Sequence, residues 1–439
     1  MTTSTHLLRQ RRFAPLFVTQ LLNALNDNLY KNAMVLFVVY QVYNSPETET
    51  FISGVATAVF VLPFVLFSAT AGQLADMRDK AKIIRWIKFA EIIIMSVGAT
   101  GLVLAARGVQ IEALAIPLLF TALFAMGVHS TFFGPIKYAI LPQHLRKDEV
   151  LAGTGLVEAG TYVAILVGMM LGGALPIMAS TIGVIVIALV GYLVCRWVPA
   201  APAETAETKV DWNPWRASKS LMSFSMNNPE LRYSVLAISY FWTIAAILSV
   251  QFIPLAKNVL LADKQVAAVM LVAFSAGIAI GSVSINALLK GDISARYSAA
   301  SVLVMGGLLV TFYLLCRSWN LAPAGGGLFS VGEFLAQPLA LVLIANLLLI
   351  AVAGGMFVVP LYAFLTTRVA VNQASRSVAA NNLISSVFMV MGAVVAGALG
   401  FLGIPLAEQL LASLILCAIS AATARKLHAT EAGRAPEVP

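Results

Sequence analysis

The stretch IMASTIGVIVIALVGYLVCRW, residues 177–197, carries no charged side chain before Arg196. A helix that crosses the hydrocarbon core of a bilayer needs about 20 mainly apolar residues. A membrane-spanning strand instead alternates apolar and polar positions over about ten residues. This run does not alternate, so it reads as a spanning helix. Eleven more runs of the same kind lie around it: Phe13–Gln41, Ile52–Ala75, Ile83–Ala106, Ala113–Ile136, Val150–Leu175, Tyr233–Ala256, Lys264–Leu289, Tyr297–Cys316, Phe334–Leu365, Ser377–Leu399 and Ile404–Lys426. The fold class expected is an all-α membrane protein with twelve transmembrane helices in two six-helix bundles.

Composition leads to the same class. The 439 residues are 60% hydrophobic and only 11% charged, with a mean hydropathy of +0.89. A soluble chain carries roughly 25% charged residues, so this one cannot cover a water-facing surface. That excludes secreted disulfide scaffolds, nucleic-acid-binding domains and disordered tails. The net charge of +8 belongs to topology instead, because Lys and Arg gather on the cytoplasmic side of membrane proteins. Of the 28 basic residues, Arg107, Lys257, Lys264 and Arg317 fall in outer segments, and Lys31 and Lys137 lie within spans. The other 22 fall on the inner side when the N-terminus is placed there. Both termini are therefore cytoplasmic. The apolar run from Phe13 is too long for a signal-peptide core of about 7–15 residues. Cys195, Cys316 and Cys417 sit in apolar runs without metal or redox spacing, and read as packing residues.

One segment breaks the apolar pattern. Val198–Pro229 is polar and proline-rich, and divides the chain into residues 1–197, a cytoplasmic linker 198–230, residues 231–426 and a tail 427–439. Trp212, Trp215 and Leu221 admit a short interfacial helix, but a plain tether is the favoured reading. The halves repeat. The fourth span ends Phe133-Gly134-Pro135-Ile136-Lys137-Tyr138, and the tenth ends Val358-Val359-Pro360-Leu361-Tyr362. Six spans plus six, in parallel repeats, is a transporter layout whose site lies between bundles near the midplane.

The first span carries the densest chemistry. Gln20, Asn23, Asp27 and Lys31 are spaced three, four and four residues apart, which places them on one helix face. An Asp at the centre of a span costs about 2.5–3.5 kcal/mol on insertion scales. The row must therefore face protein or a water-filled cavity. Asp27 and Lys31, four apart, are placed to pair. The plain alternative is an ion pair that only locks the helix in place. Glu158 in the fifth span has Thr154, Thr161 and Tyr162 nearby, and is a cavity residue or a partner for Lys137. Lys137 itself admits a second reading as a cytoplasmic anchor. Glu91 reads as a packing partner of Lys88, and His129 as a packing residue. In the second half Tyr240, Thr243, Gln251, Asn381, Asn382 and Ser385 are hydrogen-bonding candidates. Gly168, Gly172 and Gly173, and Gly392, Gly397 and Gly400, have spacings that allow close helix approach. No Walker sequence is present, so direct use of ATP is not expected.

The segment Gly72-Gln73-Leu74-Ala75-Asp76-Met77-Arg78-Asp79-Lys80 resembles the loop between the second and third helices of the major facilitator superfamily. Gly72, Leu74, Ala75 and Asp76 match that pattern, Arg78 and Lys80 stand near its basic positions, and Asp79 replaces a glycine. The resemblance implies that Asp76 faces the start of the eleventh helix as a conformational switch with Gly72, Arg78 and Lys80. Within the superfamily, Asn26-Asp27-Asn28, Gly134-Pro135-Ile136-Lys137-Tyr138-Ala139-Ile140-Leu141 and Gly155-Leu156-Val157-Glu158-Ala159-Gly160-Thr161 resemble the lysophospholipid transporter (LplT-type) branch. Ala139 and Thr154 depart from that branch's Gly and Asn.

That resemblance implies a secondary transporter of the bacterial inner membrane. It would flip lysophosphatidylethanolamine, and also lysophosphatidylglycerol, from the outer to the inner leaflet. A separate acyltransferase/acyl-carrier-protein synthetase would then re-acylate the product. The expected substrate-binding set is Asn23, Asn26, Asp27, Asn28, Lys31, Lys137, Glu158, Tyr162 and Asn381. Asp27 would meet an ammonium, and Lys31 or Lys137 a phosphate. No catalytic residue, metal or cofactor is expected, the protein is not an enzyme, and a monomer is expected. The alternative is a proton-coupled exporter of amphipathic drugs or metabolites.

Overall fold

The computed structural model describes residues 6–38, 46–203, 209–323 and 326–433. The end of the first predicted span at Gln41, Glu204 and Glu207 of the linker, and positions 434–439 of the tail lie outside the described residues. Twelve long helices carry the fold: α1 Ala14–Phe37, α2 Pro46–Met77, α3 Lys80–Ala106, α4 Ile116–Ala139, α5 Lys147–Ala174, α6 Ile177–Cys195, α7 Pro229–Asn258, α8 Lys264–Leu289, α9 Ser298–Arg317, α10 Pro338–Thr367, α11 Ala374–Phe401 and α12 Ala412–Ala432. Among the described residues, eleven helical segments are both long and apolar enough to cross a membrane. The helix outside that set is α1. Its 24 residues reach roughly 36 Å at 1.5 Å each, so polarity rather than length separates it from the others.

The chain divides into two units. One joins residues 2–224 to 369–383, and the other joins residues 225–368 to 384–439. Within the first, α1 packs on α5 and α6, α2 on α4, and α3 on α4 and α6. Within the second, α8 packs on α10, α9 on α10 and α12, and α7 on α12. The pairings of the second half are those of the first, six helices later. The seventh-to-eleventh counterpart of α1–α5 is visible in side chains: Ser239 and Ser385 hydroxyls stand 3.0 Å apart, and the Tyr240 and Phe388 rings meet edge to face at 5.5 Å.

Small residues set these distances. A Cβ on Gly168 of α5 would stand 2.6 Å from the Leu25 carbonyl oxygen of α1, and one on Gly281 of α8 would stand 2.0 Å from the Val352 oxygen of α10. Both are closer than any real contact, so the backbones touch because the side chains are missing. The glycines expected to do this in α11 behave differently. Gly392 approaches Thr243, but Gly397 has no atom within 4 Å of its would-be Cβ, and Gly400 meets only Gln409 at 3.9 Å. In the second unit the backbone-to-backbone close packing is made by Gly277 and Gly281 of α8 and Gly355 of α10.

A buried polar network ties four helices of the first unit together. Glu91 of α3 pairs with Lys88 one turn away, accepts the Asn26 amide of α1 at 2.7 Å, and lies 3.4 Å from the His129 ring of α4. The Asn26 amide also donates to the Val184 carbonyl of α6 at 3.2 Å. Lys88, Glu91 and Asn26 are fully buried. Tyr30 extends the same junction by donating to the Leu119 carbonyl at 2.9 Å. Removing one partner from a buried ion pair strands the other charge, at a cost of about 3–5 kcal/mol, while replacing both with apolar groups is often neutral. Glu91→Gln is therefore expected to lower the thermal unfolding temperature sharply in detergent. The double variant Lys88→Met/Glu91→Leu should lose much less. Thiol-reactive dye reports the unfolding, because Cys195, Cys316 and Cys417 are all buried and free.

Candidate functional site

The polar row of α1 meets α4 and α5. The Ser130 hydroxyl of α4 donates to Asp27 Oδ2 at 2.5 Å, and the Asn23 amide reaches the same oxygen at 3.4 Å. Gln20, one turn further back, accepts the Thr161 hydroxyl of α5 at 3.0 Å. Lys31 does not pair with Asp27. Its amine stands 5.4 Å from the Phe60 ring centroid, and among the described residues no ion pair joins it to a carboxylate. The distance suits a cation–π contact. A ring contact leaves the amine's three donors for another acceptor.

A second cluster lies where α4 and α5 face each other. The Tyr138 hydroxyl donates to Glu158, and the Lys137 amine stands 4.8 Å from the Tyr138 ring centroid. Lys137 is in electrostatic reach of both Glu158 and Asp27. Tyr162 is one turn beyond Glu158 and is buried with it. Thr154 spends its hydroxyl on the Val150 carbonyl of its own helix. The result is two carboxylates and two amines in the six-helix unit, none of them closed into a direct ion pair among the described residues.

The structure divides the predicted set. Asp27, Lys31, Lys137 and Glu158 are carried by α1, α4 and α5 at the two clusters. Asn23 serves Asp27. Asn26 is committed to Glu91 and Val184. Asn28 returns its amide to the Ala24 carbonyl at 2.8 Å and packs against Gly168. Asn381 is fully buried in the segment of α11 that groups with the first unit. Next to it, Asn382 comes within 2.8 Å of where a Gly134 Cβ would stand. Ser130 and Tyr138 were not foreseen. A signal existed for Ser130: it precedes Lys137 by seven residues, two turns, and so shares its helix face.

The second unit is different in kind. Where the repeat puts Lys137 in α4 it puts Tyr362 in α10, and the Tyr362 hydroxyl accepts the Trp242 indole N–H at 2.9 Å. Phe241 stacks against both Trp242 and Phe357. Thr243 turns its hydroxyl to the Ser239 carbonyl, and Gln251 bonds Gln409 at 3.1 Å. Aromatic rings and hydroxyls stand where the first unit has charges.

Asp76 closes α2. Its carboxylate accepts the backbone N–H of Ser375 at 3.0 Å and of Arg376 at 3.1 Å. These are first-turn donors of α11, which have no partner within the helix, and the helix dipole favours a carboxylate there. Gly72 permits this contact: its Cβ would stand 2.6 Å from Ala379 Cβ and 3.1 Å from Arg376 Cα. Lys80 is buried behind the turn, and its N–H donates to the Ala201 carbonyl. Arg78 is exposed and reaches only the Met77 carbonyl among the described residues. Asp79, where the superfamily pattern has glycine, caps α3 by accepting the N–H of Ala81 at 2.9 Å and of Lys82 at 3.2 Å.

Comparison with known proteins gives this geometry a family. The chain is 26% identical to the lysophospholipid transporter LplT of Escherichia fergusonii over 377 residues, which is 84% of this chain and 82% of that protein. It is 26% identical to the LplT of Cronobacter sakazakii over 394 residues, 86% of this chain and 84% of the other. Among solved structures, it superposes on the human organic anion transporter MFSD10 (TETRAN) with a TM-score of 0.75 at 14% identity, covering 94% of this chain and 99% of that one. The Escherichia coli fucose:proton symporter FucP gives 0.65 at 15% identity, with 94% and 97% covered. These likenesses fix the fold and leave the cargo open. The profile of the Major Facilitator Superfamily matches residues 16–323, well over half of the chain, and the protein belongs to that superfamily of membrane transporters rather than to an enzyme family.

Proposed function

We propose that this transporter flips lysophospholipids from the outer to the inner leaflet of a bacterial inner membrane, by alternating access, for re-acylation by a separate acyltransferase. The observation that carries this reading is the charge distribution of the first unit. Asp27, Glu158, Lys31 and Lys137 supply both signs in one bundle without cancelling each other in direct ion pairs. A lysophosphatidylethanolamine head carries both signs as well. Asp27 and Glu158 suit its ammonium, and Lys31 or Lys137 its phosphate, by charge-assisted hydrogen bonds. The single acyl chain asks for a surface without charge, and the second unit carries aromatic rings and hydroxyls where the first carries charges. The LplT relatives, at 26% identity, support the cargo class.

Asp76 belongs to the transport cycle in this proposal rather than to the cargo site. Its two hydrogen bonds to the first turn of α11 hold one state, and switching breaks them. Gly72 sets how closely α2 can approach.

The cargo assignment is tested by inward movement of labelled lysophosphatidylethanolamine in spheroplasts that lack their own transporter. Asp27→Asn and Glu158→Gln should each lower uptake roughly ten- to hundredfold, the loss of one hydrogen bond to a charged group at about 1.5–3 kcal/mol. Trp242→Phe should only weaken it. Full uptake by both acidic variants, with the protein present in the membrane, overturns the assignment.

The clamp assignment has its own readout. Gly72→Val drives a side chain into Ala379 and should open the seam. A cysteine placed at Ala379 is then expected to react faster with a membrane-impermeant maleimide in the Gly72→Val background. The three native cysteines are buried and give little background. Unchanged labelling removes Gly72 from the switch.

A further inference from the structure

The linker is not a plain tether. Pro214–Asn227 forms a helix of 14 residues, and Asn213 opens it by accepting the N–H of Trp215 and of Arg216, both at 3.1 Å. Ala217 and Leu221 bury one face of it against Ala69 of α2 and Ala379, Ala380 and Leu383 of α11. Just before the helix, the Asp211 N–H donates to Gln73 at 2.9 Å, beside the Asp76 clamp.

The opposite face is uncovered. Trp215, Lys219 and Met222 are spaced four and three residues apart, so they form one stripe. Trp215 is 77% exposed, Met222 45%, and Trp212 just ahead of the helix 68%. Two large apolar side chains on one short helix, with a third just ahead of it, do not suit a face turned to water. Connectivity indicates what covers them. The helix ends at Asn227, and the next residue, Asn228, already caps α7 by accepting the N–H of Glu230 at 3.1 Å and of Leu231 at 3.3 Å. A single residue thus joins the linker helix to a membrane span, which holds its end at the membrane boundary. The basic residues collect on that side. Arg216 is held by Asp211 through Nε at 2.5 Å and Nη2 at 2.8 Å, so Lys219 is the cation the stripe itself presents. Trp beside Lys on an exposed helix face at a membrane boundary is the side-chain chemistry of an interface with anionic lipid.

We infer that the Trp215–Lys219–Met222 face, with Trp212, docks on anionic phospholipid headgroups of the cytoplasmic leaflet. The rings and the thioether lie at the boundary between headgroups and acyl chains, and Lys219 meets the lipid phosphates. The helix is then a brace with lipid on one face and the α2–α11 seam on the other.

Full-length protein in nanodiscs tests this by fluorescence quenching. The discs contain phosphatidylcholine and phosphatidylglycerol, and either lipid carries bromine high on its acyl chains. The emission that Trp215→Phe removes is the Trp215 signal. It should be quenched by brominated lipid, and brominated phosphatidylglycerol should be enriched about fivefold over brominated phosphatidylcholine as quencher, the equivalent of about 1 kcal/mol per lysine near an anionic surface. Lys219→Gln should bring the two lipids close to parity. Both side chains are exposed, so both variants should keep the parent's unfolding temperature. Absence of quenching by either lipid assigns this face to water or to a soluble protein and overturns the proposal. Equal quenching by both lipids in the parent overturns the anionic preference.

Discussion

A polar group inside a bilayer has no water to turn to, and each unpaired one costs several kcal/mol. That constraint organises the first unit. Several polar side chains on α1 find partners on neighbouring helices, while Thr19 and Asn28 turn to carbonyls of α1 itself, so the outward-bonding positions shape what surrounds it. Asn26 requires the acceptors Glu91 and Val184, Gln20 takes the Thr161 hydroxyl, and Asp27 takes Ser130. Asn32 donates to the Met169 carbonyl at 2.6 Å. The long helix too polar to join the spanning set is therefore also the one that α4, α5 and α6 gather round.

The same constraint separates scaffold from site. Lys88 and Glu91 are fully buried, paired with each other and joined to Asn26 and His129, so their charges are already spent on each other. Lys31 rests on a phenyl ring and Lys137 on a tyrosine ring. A ring stabilises an amine without saturating its hydrogen-bond donors, and such a group can accept a ligand anion without first breaking an ion pair. The lysines differ in burial, Lys88 being fully buried and Lys31 and Lys137 half-buried, and they differ in what each amine touches.

This difference also marks the limit of what the sequence discloses. The twelve spans, the repeat and the separation of the halves follow from apolar length and from the Pro135 and Pro360 contexts, which are one-dimensional patterns. Asp27, Lys137 and Glu158 stand out because charge in a span is expensive wherever it points. Asn26 and Asn23 are three residues apart on one polar helix, yet Asn26 serves the scaffold and Asn23 serves Asp27. Periodicity places a residue on a face but does not say which neighbour that face meets. Tyr362 and Trp242 were silent for another reason: aromatic residues in a span are ordinary until one indole is seen to bond one hydroxyl. The linker's composition admits a helix at Trp212, Trp215 and Leu221 but favours a tether. Its prolines and charges read as tether, and only the burial of Ala217 and Leu221 identifies a packed helix.

The clamp shows how a departure from a family pattern can be absorbed by local structure. Asp79 stands where a glycine would let the turn bend freely. Here the aspartate caps α3 with two backbone hydrogen bonds, and accepts the Ala201 N–H at 3.4 Å from the linker side. The turn is thus fixed by a cap instead of by backbone freedom. Asp76, three residues before it, keeps both oxygens for Ser375 and Arg376. The two carboxylates divide the work between two helix starts, one covalently next in the chain and one about 300 residues away. A helix start offers free N–H groups and a favourable dipole in either case. The near contact involves little loop closure and behaves as part of the scaffold. The distant one joins segments that only the fold brings together.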